Sequence, residues 1–300
     1  MSAPRSPPAE LLAAYTLGGR VKFDHFYVDE AAPFPGGGAQ FGRAYIDDCI
    51  KHASVSEHLQ VRSWVASGVA RNLVAFALAA GGPAAVHGRD VVVFGATEPW
   101  VECLVLAQGG ASVTTIEYKT VTYEHPKLRM MNVSEFEASV YGGKGSLAAS
   151  FDVAIALSAF DHDGLGRYGD RLHPDGDMLA MRTAWRALRP GNGRLLLSVP
   201  IGPDRLVWNL HRRYGQLRLP RMLAGWEEVA RLGWDEKRIS DEAADHRRRF
   251  EPLFILARNS TLDLNLPSSW AAWRSNMENP ECNTVSSTQD ASLLPIPHVT

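Results

Sequence analysis

Between Asp161 and Asp177 the chain reads DHDGLGRYGDRLHPDGD, which packs five aspartates, two histidines and four glycines into seventeen residues. Carboxylates and imidazoles at this density can orient or deprotonate a polar substrate group, and glycines at 164, 166, 169 and 176 let backbone approach a ligand or take positive φ. Asp161 and His162 are therefore the candidate catalytic pair, and Arg167 and Tyr168 the candidate substrate contacts beside them. Asp161, Asp163 and His173 are the only set here that could converge on a metal. Their glycine-rich spacing matches no metal-loop template, including the calcium pattern that ends in Glu, so no metal is expected. A solvated, capped turn would use the same aspartates.

Two other stretches carry chemistry. SVPIGPDRLVWNLHRRYG, Ser198 to Gly215, brings Asn209, His211 and Arg212 together, a neutral base next to a side chain suited to carboxylate or phosphate. Its rival reading is a helix start with a solvated basic face. Upstream, DVVVFGA at Asp90 to Ala96 is followed by Thr97-Glu98-Pro99-Trp100. A dinucleotide site would need GxGxxG at this turn, and only Gly95 is present; Glu98 would also push a carboxylate at a diphosphate. NAD or FAD fits badly. S-adenosylmethionine has no phosphate and carries cationic groups, so acid in the turn is tolerated. Glu117, 22 residues after Gly95, is placed to accept hydrogen bonds from ribose hydroxyls. Asn132 is a candidate for the adenine edge, although with Glu135 it also reads as a helix N-cap and its capping-box partner.

The elements that must position these residues follow from periodicity. A helical pattern over Leu59 to Ala80 leads into strand and helix signals in alternation. ASVTTIEY, Phe151 to Phe160 and GRLLLSVPIG are strands, and Met178, Met181, Trp185 and Leu188 stripe a helix that ends at Arg189-Pro190-Gly191. Alternation of this kind predicts a doubly wound α/β domain, a mostly parallel sheet with helices on both faces, over residues 59–259. EPLFILARN is expected to close it as an edge strand. Residues 1–58, rich in Pro, Gly and aromatics, are a lid or a loose leader. Residues 260–300 lack any period and are expected to be a disordered tail.

Composition narrows the class. In 300 residues, 31 Lys and Arg balance 33 Asp and Glu, so no global basic field exists for nucleic acid or an anionic membrane. The longest uncharged apolar stretch, Leu73 to Val86, is interrupted by Gly-Gly-Pro and is too short to span a bilayer. Cys49, Cys103 and Cys282 are far apart, odd in number and free of CxxC spacing, which argues against a disulfide framework or a zinc site. A cytoplasmic protein acting on a small molecule is the expectation, with oligomeric state left open.

GLGRYGD at Gly164 to Asp170, PDGD at Pro174 to Asp177, LRPGNGRLLLSVPIG at Leu188 to Gly202 and N-x-HR at Asn209 to Arg212 together resemble an uncharacterised domain family. That family is itself similar to class I S-adenosylmethionine-dependent methyltransferases. Where its pattern has Glu-His ahead of the glycines, this chain has Asp161-His162. The resemblance implies a Rossmann-like seven-stranded sheet whose final strand is antiparallel, S-adenosylmethionine as cofactor, and methyl transfer to a small or medium polar acceptor. A non-catalytic methyltransferase-like binding or scaffold protein is the alternative, and a metal-assisted hydrolase the third.

Overall fold

The computed structural model describes residues 2–34, 38–53, 68–142, 146–241 and 249–258, without the side chains of 68–72 and 76. The described residues all fall within one compact unit, Met1–Asn259; the expected tail, and residues 59–67 of the expected first helix, lie outside the described residues. The strands are β1 (Lys22–Phe26), β2 (Ala39–Phe41), β3 (Asp90–Phe94), β4 (Ser112–Glu117), β5 (Val121–Tyr123), β6 (Leu128–Asn132), β7 (Val153–Leu157), β8 (Arg194–Ser198), β9 (Arg205–Asn209), β10 (His211–Arg213), β11 (Trp226–Leu232) and β12 (Leu253–Arg258). The helices are α1 (Ala9–Tyr15), α2 (Arg43–Lys51), α3 (Gly68–Ala80), α4 (Trp100–Ala107), α5 (Val133–Tyr141), α6 (Gly176–Ala187) and α7 (Arg218–Leu223).

Seven strands pair in the order β11-β12-β8-β7-β3-β4-β6. All neighbours from β8 to β6 are parallel, while β12 runs antiparallel to both β8 and β11. This is the expected doubly wound sheet with one reversed strand. Short apolar strands buried on both faces build it, as residue alternation shows: Val91, Val93, Val153 and Ile155 pack with α3 and α4, whereas Val92, Phe94, Ala154 and Ala156 pack with α5 and α6. EPLFILARN is not an edge strand. It lies between β8 and β11, and the edge is β11, whose Glu227, Glu228 and Val229 are exposed and in which no residue is fully buried.

The stretch after Pro203 is not a solvated helix. It forms β9 and β10, which join β1 in a separate three-stranded sheet in the order β1-β9-β10. The N-terminal residues are thereby tied to the chain that follows β8. A small β2-β5 pair anchors the next segment, and α2 packs on α4. There the expectation of unpaired cysteines is corrected: Cys49 and Cys103 form a disulfide, with Cα atoms 5.9 Å apart, a separation within the bridging range. Folding brings together two positions that a 54-residue spacing kept apart in sequence.

Candidate active site

Strand order reverses between β3 and β7, since β4 and β7 flank β3 on opposite sides; ligands bind outside the carboxyl ends at such a point. Gly95, just past β3, has φ +71°, and a Cβ there would come within 2.7 Å of the Ala159 Cβ just past β7. Only glycine lets these two turns meet. Glu98 is exposed in the same turn. Glu117 ends β4 with its carboxyl buried; Oε1 accepts the amides of Tyr118 (2.7 Å) and Lys119 (3.4 Å), and burial raises its pKa above the ordinary carboxylate value despite those bonds. Asn132 ends β6 and caps α5, accepting from the Ser134 amide at 3.1 Å while its Nδ2 donates to the Tyr118 carbonyl. Its side chain is used by the fold on both sides.

Beyond β7 the aspartate-rich loop turns back under the N-terminal segment. Asp161 is fully buried, and neither carboxyl oxygen accepts a hydrogen bond from another described residue. Burial, reinforced by the charge of Glu251, pushes its pKa up to about 7. The Nδ1 of His162 faces the Leu210 carbonyl at 2.5 Å, so that nitrogen carries the proton, and Nε2 lies 3.5 Å from Asp161 Oδ2. Burial and the nearby Arg167 guanidinium hold the imidazole well below its usual pKa, which leaves it neutral at neutral pH. The His211 ring lies 6.4 Å from that of His162 and is buried on β10. Tyr168 stands edge to face with His162 at 5.7 Å; burial raises its phenol pKa, and it feels the charges of both Asp161 and Glu117. Tyr118 donates to Asp163 at 2.9 Å.

The remaining expected contacts have other partners. Arg167 pairs with Glu30 at 2.9 Å, and its own carbonyl accepts the Glu30 amide. Asn209 is buried and accepts the Val28 amide at 2.8 Å. Arg212, 1% exposed, donates to the carbonyls of Asp163, His173 and Pro174 and so ties the loop to β10. Nearby Asp177 takes Arg218 through both oxygens and the Tyr214 hydroxyl; burial, which would raise its pKa, is outweighed by Arg212 and Arg218, and the carboxyl is held below its ordinary value.

The glycines of the loop have a structural account. A Cβ at Gly164 would strike the His173 carbonyl at 2.2 Å, and one at Gly166 would meet the Ala3 Cβ at 2.7 Å. The loop is a seat for its own turn and for the N-terminal residues, fixed further by Tyr15 donating to the Gly164 carbonyl and Trp208 to the Pro4 carbonyl. Among the described residues, no group of three or more His, Cys, Asp or Glu is placed to hold a metal ion, and no helix is long and apolar enough to cross a membrane.

Three residues at this edge are absent from the sequence-based set. Ser158, which follows β7, takes φ +50° and donates to Glu251 Oε1 at 3.0 Å. Arg249 donates to Ser158 Oγ at 3.3 Å and lies 3.5 Å from Glu251. A signal did exist: because β12 is antiparallel, the described residues just ahead of it, Arg249 to Pro252, arrive at the carboxyl edge of the parallel strands, as the pairing of Leu253 with Ser198 shows.

Residues 88–261, more than half of the chain, match the model of a family described as Caenorhabditis protein of unknown function, DUF268. No curated protein sequence matches. Among solved structures, the chain is similar to an S-adenosylmethionine dependent methyltransferase from Mesorhizobium loti, at 15% identity over 58% of this chain and 92% of that one, TM-score 0.38. It is also similar to a SAM-dependent methyltransferase from Leishmania major, at 11% identity over 70% of this chain and 82% of that one, TM-score 0.41. The topology described above stands on the strand pairings themselves.

Proposed function

The chain belongs to DUF268, whose description names no chemistry, and from the site we propose that it binds S-adenosylmethionine and transfers the methyl group to a small or medium polar acceptor. Glu117 carries the reading. A carboxylate buried at the end of the strand beside the switch point, with Oε1 held by two amides and Oε2 bonded to no described residue, suits two adjacent hydroxyls and repels a phosphate. The turn at Gly95 offers no second glycine for a pyrophosphate, and Glu98 adds acid where a sulfonium and an amino group are welcome. On this reading Glu117 holds the ribose, the Gly95 and Ala159 turns shape the floor, and Tyr168 divides cofactor from acceptor. When bound, the cofactor supplies an electrophilic methyl group that an acceptor heteroatom attacks in line. The chain's own part is positioning and proton uptake. Between the two candidate groups, Asp161 titrates near neutrality and His162 does not, so the carboxyl is the better matched base.

A non-catalytic binding role is the second reading, favoured by the enclosure of Asp161, His162 and His211 alike. Thermal unfolding with S-adenosylmethionine, its demethylated product and NAD tests the cofactor. Ligand at 100 times its dissociation constant adds about 2.7 kcal/mol, expected for the first two compounds only, and Glu117→Ala should remove most of the effect. Stabilisation by NAD, or by none of the three, defeats the proposal. Binding without turnover of any acceptor selects the second reading.

A further inference from the structure

Two hydrogen-bond acceptors stand side by side in the loop after β7 with no donor between them. Asp161 is fully buried, and neither of its oxygens accepts a hydrogen bond from a described residue. A buried carboxyl in that state is costly until a donor meets it. His162 gives its Nδ1 proton to the Leu210 carbonyl 2.5 Å away; the Arg167 guanidinium, 3.5 Å from that nitrogen, donates to the same carbonyl at 3.4 Å. Burial and the Arg167 charge keep the ring neutral, and a neutral imidazole protonated on Nδ1 carries a bare lone pair on Nε2. Nε2 lies 3.5 Å from Asp161 Oδ2. Whichever atom supplied the proton, that gap is too wide for the two to bond each other, because charge-assisted bonds run to about 2.9 Å and neutral ones to about 3.2 Å. A third atom about 2.9 Å from each would span it.

We propose that Asp161 Oδ2 and His162 Nε2 together recognise a primary amine and, resting on the methyl-transfer reading for its use, that the methyl acceptor is a small molecule carrying this amine at an unbranched end. A primary amine has two N–H donors and one lone pair. With one N–H on each acceptor, the lone pair is left for the methyl carbon. A hydroxyl has a single donor and leaves one buried acceptor bare, a loss that discriminates strongly between substrates. The way in is narrow: the His162 side chain is 8% exposed and that of Asp161 0%, and the Tyr168 ring stands edge to face against the imidazole. An amine that arrives as ammonium first gives its third proton to solvent. As the nitrogen–carbon bond forms, the carbon–sulfur bond breaks and its electron pair stays on sulfur; the nitrogen, now cationic, passes one proton to the Asp161 carboxylate and leaves as a secondary amine.

Butylamine and butanol, equal in chain length, test the site in the full chain at constant ionic strength without cofactor, followed by imidazole nitrogen resonances. The His162 signal, identified by its loss in His162→Ala, should show the proton on Nδ1 and should move at Nε2 as butylamine binds. Butylamine should bind at least about tenfold more tightly than butanol, and Asp161→Asn should weaken it roughly 10-fold to 100-fold. His162→Ala, which leaves the carboxyl in place, should weaken it too and supplies the comparison if Asp161→Asn does not fold. A proton on Nε2, equal affinity for the two probes, or unchanged butylamine affinity in the folded variants overturns the proposal. Stabilisation by S-adenosylmethionine should survive Asp161→Asn; its loss there would assign Asp161 to the cofactor's own amino group and overturn the acceptor site. Amine selectivity in a protein that S-adenosylmethionine does not stabilise sinks the methyl-transfer reading and keeps the amine site, whereas stabilisation without amine selectivity sinks the amine site alone.

Discussion

Replacing Asp161 by Asn should make the protein relatively more stable as pH rises. The native carboxyl titrates at about 7, against about 3.9 in an unfolded chain, a gap of roughly 3 units that converts at 1.36 kcal/mol per unit to about 4 kcal/mol. The sign follows from which state holds the proton more tightly. Because the folded value is the higher one, the stability that the proton confers is fully present below about pH 4 and is lost as pH climbs through 7. Asn has the same shape and no charge, so the variant escapes that loss. Urea unfolding of both proteins at half-unit steps from about pH 4 to about pH 8.5 gives two curves. Their difference cancels every other titrating group and should change by about 4 kcal/mol in favour of the variant, levelling off above neutrality. A flat difference, or one that favours the unsubstituted protein at high pH, would mean that Asp161 is a partnered carboxylate.

Asp177→Asn should cost about 3–5 kcal/mol in the same denaturation assay, because Arg212 and Arg218 would be left buried without their carboxylate; a loss under about 1 kcal/mol would show the network to be dispensable. Gly95→Ala, forced to φ +71° against Ala159, should lower stability by about 1–3 kcal/mol and weaken stabilisation by S-adenosylmethionine, as melting with and without the cofactor will show. Thiol counting on unreduced, unfolded protein should find one free cysteine, Cys282, and reduction should release two more. Loss of the 54-residue crosslink in Cys49→Ser should cost about 4 kcal/mol by loop-closure entropy, and three reactive thiols before reduction would remove the disulfide from the fold.

The strands buried on both faces were legible because their signal is local. DVVVF, VAIAL and RLLLS are short apolar runs between turn residues, and alternation with helical stripes suffices to order them. Gly95 and Glu117 followed from the rule that ligands gather at carboxyl ends, and the fold puts both at the switch point. What stayed hidden depends on partners distant in sequence. His211, Arg212 and Arg213 look like a solvated basic face until the loop carbonyls and Asp177, more than thirty residues upstream, come to meet Arg212. EPLFILARN is apolar whether it borders one strand or two, so its inner place could not be read without β11. Ser158, Arg249 and Glu251 escaped notice because strand direction, which no periodicity encodes, decides which end of β12 reaches the site.

The contact between Gly166 and Ala3 bears on how this protein can be handled. The family match begins at residue 88, and a clone trimmed to that point would strip β1 from β9, take Pro4 away from Trp208 and Tyr15 away from Gly164. An aromatic cluster and a row of strand hydrogen bonds would then face water, a surface that invites aggregation. Expression vectors should therefore keep the first thirty residues and place affinity tags away from Ala3, since a bulky peptide pressed against Gly166 would act on the same loop that carries Asp161.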